Sequence, residues 1–178
     1  FNGNPFLRKA VIGNGVTMIP DNAFNNCPSL TEVVIGSGVK SITTNAFKDC
    51  TALETIYIPD NVAILYGGIF NGCTSLKNIR LSPNIESLGD SVFNQCTSLE
   101  EIELSPALLA LGSGVFYGCT GLTSLVIPET VTSLGDNAFK DCTNLEEIDM
   151  PASLGLYTLP ASVFENCISL KEITIPDF

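Results

Sequence analysis

A cysteine recurs at a fixed interval along the chain, and this interval constrains the fold more than any other feature of the sequence. The spacing is 23 residues five times and then 25. A phenylalanine lies three residues before each cysteine, and a leucine lies three residues after it. The cysteines are Cys27, Cys50, Cys73, Cys96, Cys119, Cys142 and Cys167. Because a regular period of this length is the signature of stacked repeats, the sequence predicts a repeat architecture.

The pattern divides the 178 residues into eight repeats, which we interpret as a single domain covering residues 1–178. Phe1 and Leu7 extend the pattern back by one repeat, with Asn4 in place of the cysteine. Two inserted residues within Ala152–Pro160 explain the longer last interval, and we expect Tyr157 to be pushed outward there. The repeats begin near Phe1, Phe24, Phe47, Phe70, Phe93, Phe116, Phe139 and Phe164.

Each repeat reads roughly A-F-x-x-C-x-x-L-x-x-I-x-I-P-x-x-V-x-x-I-x-x-x. The L-x-x-I-x-I part alternates and carries β-branched residues, so it predicts a short strand that ends at the proline. The V-x-x-I part predicts a second extended or 3₁₀ segment. A short helical turn follows, and the residue before each cysteine, Gln95 excepted, suits the left-handed conformation that ends a helix. Its expected N-cap residues are Asp21, Thr44, Asp90, Ser113 and Asp136.

One repeat is too small to fold alone. It contributes about eight apolar side chains, each worth roughly 1.5–3 kcal/mol when buried, whereas ordering the backbone costs about 1–2 kcal/mol per residue. Neighbouring repeats must therefore supply the missing burial and the hydrogen bonds between strands. We expect an α/β solenoid of eight coils of about 23 residues, stacked roughly 4.8 Å apart.

The cysteines invite four interpretations: a metal site, a redox pair, a nucleophile, or a row of small buried side chains. A row with one sulfur per coil does not converge on a point as zinc ligands do, and the sequence contains no C-x-x-C motif. There is no histidine, and Lys48 and Lys140 are the only cations near a cysteine in sequence; we expect both to face solvent. In-register side chains also run parallel, which disfavours disulfides. We therefore predict free, buried thiols.

Composition excludes several functions. The net charge is −11, which argues against nucleic acid and anionic membrane partners because both are recognised through Lys and Arg. No apolar run approaches the ~20 residues needed to cross a bilayer. Because histidine, the commonest general base and metal ligand, is absent, we expect no enzyme, no catalytic residues, no metal and no cofactor.

The repeat resembles a known family. L-x-x-I-x-I with a 23-residue period is similar to leucine-rich repeats, and the A-F-x-x-C block with the following proline resembles the bacterial surface-antigen subclass (BspA-like, Treponema-type). The resemblance implies a right-handed horseshoe with a parallel sheet on its concave face. It also implies a surface protein that binds host proteins, matrix or other cells. One departure is that only Asn61 and Asn84 occupy the column of the usual asparagine ladder, so we expect no continuous ladder.

The outward side chains of the predicted concave strands differ from coil to coil, as a binding face allows and as an ordinary solvated face also shows. Acidic clusters in the fifth and seventh coils favour a basic partner. A calcium site needs six to eight converging oxygens, and a glycosidase carboxylate pair needs a pocket, so both are weaker hypotheses. The candidate binding residues are Tyr57, Arg80, Glu101, Glu103, Val126, Glu147 and Asp149.

Two functions remain open from the sequence. The first is a non-enzymatic adhesion module, extracellular or at the cell surface, that binds a protein or matrix ligand through the concave sheet. The second is a structural spacer or stalk with no ligand of its own. Neither end of the pattern carries a polar cap, so we interpret the chain as part of a longer protein, or as one that associates end to end with a second copy.

Overall fold

The computed structural model describes residues 1–154 and 159–175, in which the chain winds into a parallel β-solenoid. The L-x-x-I-x-I segments form β1 (Lys9–Ile12), β3 (Glu32–Ile35), β5 (Thr55–Tyr57), β7 (Asn78–Arg80), β10 (Ser124–Val126) and β12 (Glu147–Asp149). The V-x-x-I segments form the two-residue strands β2 (Met18–Ile19), β4 (Ser41–Ile42), β6 (Ile64–Leu65), β8 (Ser87–Leu88), β9 (Ala110–Leu111) and β11 (Ser133–Leu134). Both predicted extended segments are therefore present.

The two sets of strands pair differently. The V-x-x-I strands form one six-stranded sheet in the order β11-β9-β8-β6-β4-β2. The L-x-x-I-x-I strands form only pairs, β1 with β3, β5 with β7 and β10 with β12. The register places each residue beside the one 23 positions later, as in Lys9 beside Glu32 and Tyr57 beside Arg80. Each column of the sequence is therefore a row of neighbours in space.

The expectation of an α/β fold with short helical turns is wrong for the described residues, which contain no helix. In the turn at residues 91–96, where the fifth repeat begins, the N–H groups of Ser91, Phe93 and Gln95 donate to carbonyl oxygens of the following turn at 2.7–2.9 Å. Those of Asn94 and Cys96 donate to the carbonyl three residues earlier. Ser91 and Gln95 have φ of 57° and 60°, which a right-handed helix does not permit. Successive N–H groups therefore alternate between acceptors in the neighbouring turn and acceptors in their own turn. The segment is a compact turn that is hydrogen-bonded to the next one.

The proposed N-cap residues also act differently. The carboxylate of Asp90 accepts the N–H of Ser113 at 2.7 Å, and that of Asp136 accepts the N–H of Ala161 at 2.8 Å. Both acceptors reach the following coil rather than their own turn. These bonds connect successive coils, whereas a helix cap would bond to the backbone of its own turn.

The count of eight coils is not confirmed. The continuous sheet contains six strands, which indicates about six coils. The corresponding strand of the seventh repeat would overlap residues 155–158, which lie outside the described residues together with Tyr157 and its predicted outward position. The insertion leaves the stacking intact, because the Phe164 ring lies 5.6 Å from the ring of Phe139.

The predicted inward columns form the core. The eight phenylalanine rings stack in one row, with centroids 5.2–5.8 Å apart and planes within 12° of parallel. The central five are fully buried, and the leucines after the cysteines lie beside them. Aromatic pairs in offset stacking add about 0.5–1.5 kcal/mol beyond the area they bury. This row is the part of the core that runs through every coil.

The cysteines form a second row, and their burial is confirmed for all but the half-buried Cys167. All seven sulfurs are free, and each thiol donates to the carbonyl of a phenylalanine in the preceding coil at 3.0–3.2 Å. The same carbonyl usually also accepts an N–H from its own turn, as Phe70 does from Cys73 and Cys96. The cysteine is therefore a donor between coils as well as a small apolar side chain.

The left-handed conformation predicted before each cysteine is confirmed, and Gln95 adopts it too. A second left-handed position, four residues earlier, was not predicted. It is occupied by Asn22, Asn45, Gly68, Ser91, Gly114, Asn137 and Ser162. These two positions open and close the turn, and they set the direction in which its N–H groups point.

Candidate partner-binding face

The candidate residues lie on what we call the strand face, the outward side of the L-x-x-I-x-I segments. All seven are exposed, which the alternation of these segments requires because their neighbours point inward. The two largest apolar contributions come from Tyr57, 48% exposed, and Val126, 65% exposed. The structure thus presents every predicted side chain to solvent on the same face.

Two depressions divide the candidate residues between them. The first, of about 850 Å³, is lined by Tyr57, Arg80, Glu101, Glu103 and Val126. The second, of about 760 Å³, is lined by Glu147 and Asp149 and shares Val126 with the first. The structure therefore brings the seven residues together along one trough that passes over Val126.

An aromatic and cationic pair lies at one end of the trough. The guanidinium carbon of Arg80 lies 4.4 Å from the centre of the Tyr57 ring. A nitrogen of Arg80 also lies 3.6 Å from a carboxylate oxygen of Asp60. The column alignment of Tyr57 with Arg80 could be read from the period, whereas Asp60 was missed because it lies beyond the strand, after Pro59.

The fifth coil interrupts the backbone pairing. Residues 101–104 are not in a strand, and their N–H and C=O groups make no backbone–backbone hydrogen bond within the described part of the chain. Glu101 and Glu103 are exposed on this unpaired segment, while Leu104 remains buried beneath it. The strand face therefore has its only strandless coil, among those described before residue 155, at one of its two acidic clusters.

A second polar cluster, off the strand face, was also missed by sequence reasoning. Lys140 forms an ion pair with Glu165 at 2.8 Å, so it is more than a solvent-facing side chain. The Asn166 amide donates to Asp141 at 2.6 Å, and this bond is the largest cause that lowers the pKa of Asp141. The hydrogen bond to Asp141 raises the pKa of Tyr117. These contacts join the turns of three successive coils.

The buried thiols are not suited to nucleophilic chemistry. Burial raises the pKa of Cys50 and Cys142 to about 12, so these thiols stay protonated and are poor nucleophiles. Among residues 1–154 and 159–175, no group of three or more His, Cys, Asp or Glu side chains is arranged to hold a metal ion. The same residues include no helix with the length and apolarity required to span a bilayer.

Comparison with known families finds one match over the whole chain. The pattern of the BspA-type leucine-rich repeat region matches residues 1–119 and 69–178, in six copies. Comparison with curated protein sequences gave no match.

Several solved structures are similar. A leucine-rich repeat protein from T. pallidum is 29% identical, with a TM-score of 0.85 over 93% of this chain and 79% of that one. A leucine-rich repeat protein from Eubacterium ventriosum is 22% identical, with a TM-score of 0.59 over 95% of this chain and 55% of that one. A leucine-rich cell surface protein from Faecalibacterium prausnitzii is 24% identical, with a TM-score of 0.45 over 96% of this chain and 67% of that one. The first two likenesses show that the solenoid has the leucine-rich repeat fold.

Proposed function

The chain belongs to the BspA-type leucine-rich repeat family, and we propose from this premise that it is a protein-binding module of the cell surface that acts through its strand face. Leucine-rich repeat proteins are generally protein-interaction or surface-repeat modules and are typically non-enzymatic scaffolds. The adhesive role, the protein or matrix partner and the surface location are our extension of that general statement.

One observation carries the proposal: inward and outward positions of the same strands follow opposite rules. Inward residues are apolar in every coil and most of them are buried, whereas outward ones range from Tyr57 to Arg80, Glu103 and Val126 within a single trough. Aromatic and arginine side chains in such a trough are the groups that most often dominate the energy of protein interfaces. A spacer would need only the inward rows.

The test is direct binding to a panel of purified matrix proteins, such as fibronectin, fibrinogen, laminin and collagen, by surface plasmon resonance. The variant Tyr57→Ala/Arg80→Ala should lose at least about tenfold in affinity for any protein that binds, since hot-spot truncations cost about 2 kcal/mol or more. The matched control is Tyr66→Ala/Lys40→Ala, which removes an exposed tyrosine and a cation from the V-x-x-I side.

Two outcomes would contradict the proposal. If no panel member binds the wild-type chain, the spacer function is favoured. If a partner binds and the control variant loses as much affinity as Tyr57→Ala/Arg80→Ala, binding does not go through the strand face.

A further inference from the structure

The charge of the protein is divided along the solenoid axis. Residues 1–89 contain six Lys or Arg and six Asp or Glu, so this half is neutral. Residues 90–178 contain two basic and thirteen acidic residues, which account for the whole net charge of −11. A partner that approaches the solenoid therefore meets two ends of different electrical character.

The strand face shows the same division more sharply. Its outward columns in the first four repeats carry four cations, Arg8, Lys9, Lys77 and Arg80, against two acidic residues. In the last four repeats they carry one cation, Lys171, against seven acidic residues. The sign changes between the fourth repeat, with two cations, and the fifth, with three glutamates. This boundary lies inside the 850 Å³ depression, because Arg80 and Glu103 both line it.

Internal ion pairs neutralise one half of the face and not the other. In the first half Glu32 is paired with Lys9 at 2.6 Å, and Asp60 lies beside Arg80. In the second half only Glu146 is paired, with Lys171 at 2.5 Å. The acidic face residues of the second half that form no ion pair within the described residues are Glu100, Glu101, Glu103, Glu147, Asp149 and Glu172, whereas Glu54 is the one such residue of the first half. The second half thus leaves six exposed carboxylates for an external cation.

Arg80 keeps donors for an external group. A guanidinium has five N–H donors, and the 3.6 Å separation from Asp60 is longer than the roughly 2.7–2.9 Å of a charge-assisted hydrogen bond. Its position over the Tyr57 ring favours one orientation of the guanidinium. An incoming carboxylate can therefore meet an oriented guanidinium at the end of the trough opposite the unpaired acids.

The exposed Val126 lies between the two acidic coils and joins the two depressions. The distance from the fourth to the eighth repeat is four coil spacings of roughly 4.8 Å, or about 19 Å, which an extended segment of about six residues covers at roughly 3.3 Å each. A ligand that follows the trough would therefore place an apolar side chain near its centre, over Val126.

On the premise of the proposed function, we propose that the strand face receives an extended segment of a partner protein in one orientation. An acidic group of the segment lies over Arg80 and Tyr57, an apolar side chain lies over Val126, and basic side chains lie over the acidic coils on either side of it. The partner is thus a lysine- or arginine-rich segment that begins or ends with an acidic residue. Its orientation is set by the reversal of charge on the face.

The first test uses labelled synthetic peptides of sequence ESKVKSK and KSEVKSK, which share one composition but differ in the position of the glutamate. Fluorescence anisotropy at low salt should show that ESKVKSK binds more tightly, by at least about threefold, and that both lose affinity as salt screens the charges. Equal affinity for the two peptides, or no binding of either, would overturn the proposal.

The second test uses variants matched in charge. Glu103→Gln/Asp149→Asn removes two charges from the strand face, and Asp21→Asn/Glu86→Gln removes two exposed charges from elsewhere. The first variant should weaken ESKVKSK binding by at least about fivefold, and the second by less than about twofold. Because all four positions are exposed, neither variant should alter folding, and a urea unfolding curve checks this.

Orientation is measured by placing a photoreactive group at either end of ESKVKSK and locating the cross-link by mass spectrometry. The glutamate end should attach to residues near Tyr57 and Arg80, and the lysine end to the seventh or eighth repeat. Cross-links from each end to both halves of the face would contradict a fixed orientation. Concentration-dependent self-association that competes with the peptide would instead identify a second copy as the occupant, and would also overturn the proposal.

The outcomes separate this inference from the function on which it rests. Suppose that a matrix protein binds, that Tyr57→Ala/Arg80→Ala abolishes binding, and that Glu103→Gln/Asp149→Asn binds it unchanged. The strand face is then the binding surface, and the proposal that it receives a basic segment is wrong. If no matrix protein binds, the proposed adhesive role fails, and the peptide measurements still decide whether the face selects a basic segment.

Discussion

The turn that carries Phe-x-x-Cys and the strand face belong to the same coils and follow opposite rules. In the turn, every coil repeats the same side chains, and alternate N–H groups bond to the next coil, as in Phe93 and Gln95. On the strand face the outward side chains change from coil to coil, and strand pairing is broken between β3 and β5 and again at the fifth coil. Cohesion between coils is therefore concentrated on the turn side and the six-stranded sheet. The strand face is left free to vary because the stack does not depend on its side chains.

The largest expected effect is on the turn side, where uniformity creates a shared weakness at alkaline pH. Burial raises the pKa of Cys50 and Cys142 to about 12, and it also raises the pKa of Cys73, Cys96, Cys119 and Cys167. These thiols ionise near pH 9 once the chain unfolds. Their contribution to stability is therefore complete below about pH 9 and is lost as pH rises from 9 towards 12.

The magnitude follows from linkage, at about 1.4 kcal/mol per pH unit for each thiol. The five fully buried thiols, of Cys50, Cys73, Cys96, Cys119 and Cys142, would together cost about 7 kcal/mol per pH unit, which is comparable to the whole stability of a typical domain. We expect cooperative unfolding within about one to two pH units above pH 9, measured by urea unfolding followed by circular dichroism. In Cys50→Ala/Cys142→Ala the slope of stability against pH should fall by about 2.7 kcal/mol per unit. An unchanged slope would show that the buried thiols do not couple folding to pH.

The next largest effect tests the phenylalanine row against the strand face. Phe93 is fully buried between rings at 5.7 and 5.4 Å, so Phe93→Ala should lower the free energy of unfolding by about 3–5 kcal/mol. The exposed Val126→Ala is the control on the strand face, and it should change stability by less than about 0.5 kcal/mol. If both variants lose the same free energy of unfolding, the stack depends on the strand face as much as on the phenylalanine row.

The sequence predicts the repeated turn and core more completely than it predicts the strand face. The period alone identifies the inward columns, the register that aligns Tyr57 with Arg80, and the positive φ before each cysteine. All three depend on which residue type recurs at one position, and that is visible in a single sequence. The candidate side chains on the strand face were also correctly placed as exposed neighbours, and their role in binding stays a prediction.

The sequence does not predict which coil a polar side chain or backbone group bonds to. Short polar residues such as Asp90 are typical of helix caps, but in this chain Asp90 accepts an N–H from the next coil. The choice depends on a second left-handed residue, Ser91, whose type favours no single conformation. The ion pair of Arg80 with Asp60 and the unpaired segment at residues 101–104 likewise arise from how coils stack, which no local pattern encodes.

A smaller effect concerns the one long side chain at a left-handed position before a cysteine. Gln95 has φ of 60°, whereas Gly72 and Gly118 occupy the same position in the flanking coils. A left-handed conformation costs most L-residues about 1–2 kcal/mol, and glycine avoids this cost but loses more entropy on folding. Gln95→Gly should therefore raise stability by about 0.5–1 kcal/mol in urea unfolding. A loss of stability would mean that the Gln95 side chain contributes contacts that outweigh the strain.

The smallest effect is expected on the strand face itself, where side chains interact only with neighbours in the same row. The exposed pair of Arg80 and Tyr57 should contribute about 0.5–1 kcal/mol as a cation–π contact. A double-mutant cycle with Tyr57→Leu, Arg80→Gln and the double variant isolates this coupling from the loss of each side chain. Asp60→Asn in the same backgrounds should change the coupling little, because exposed ion pairs are worth about 0–1 kcal/mol. A coupling above about 2 kcal/mol would show that the face helps to hold the coils together, and its freedom to vary would then need a different explanation.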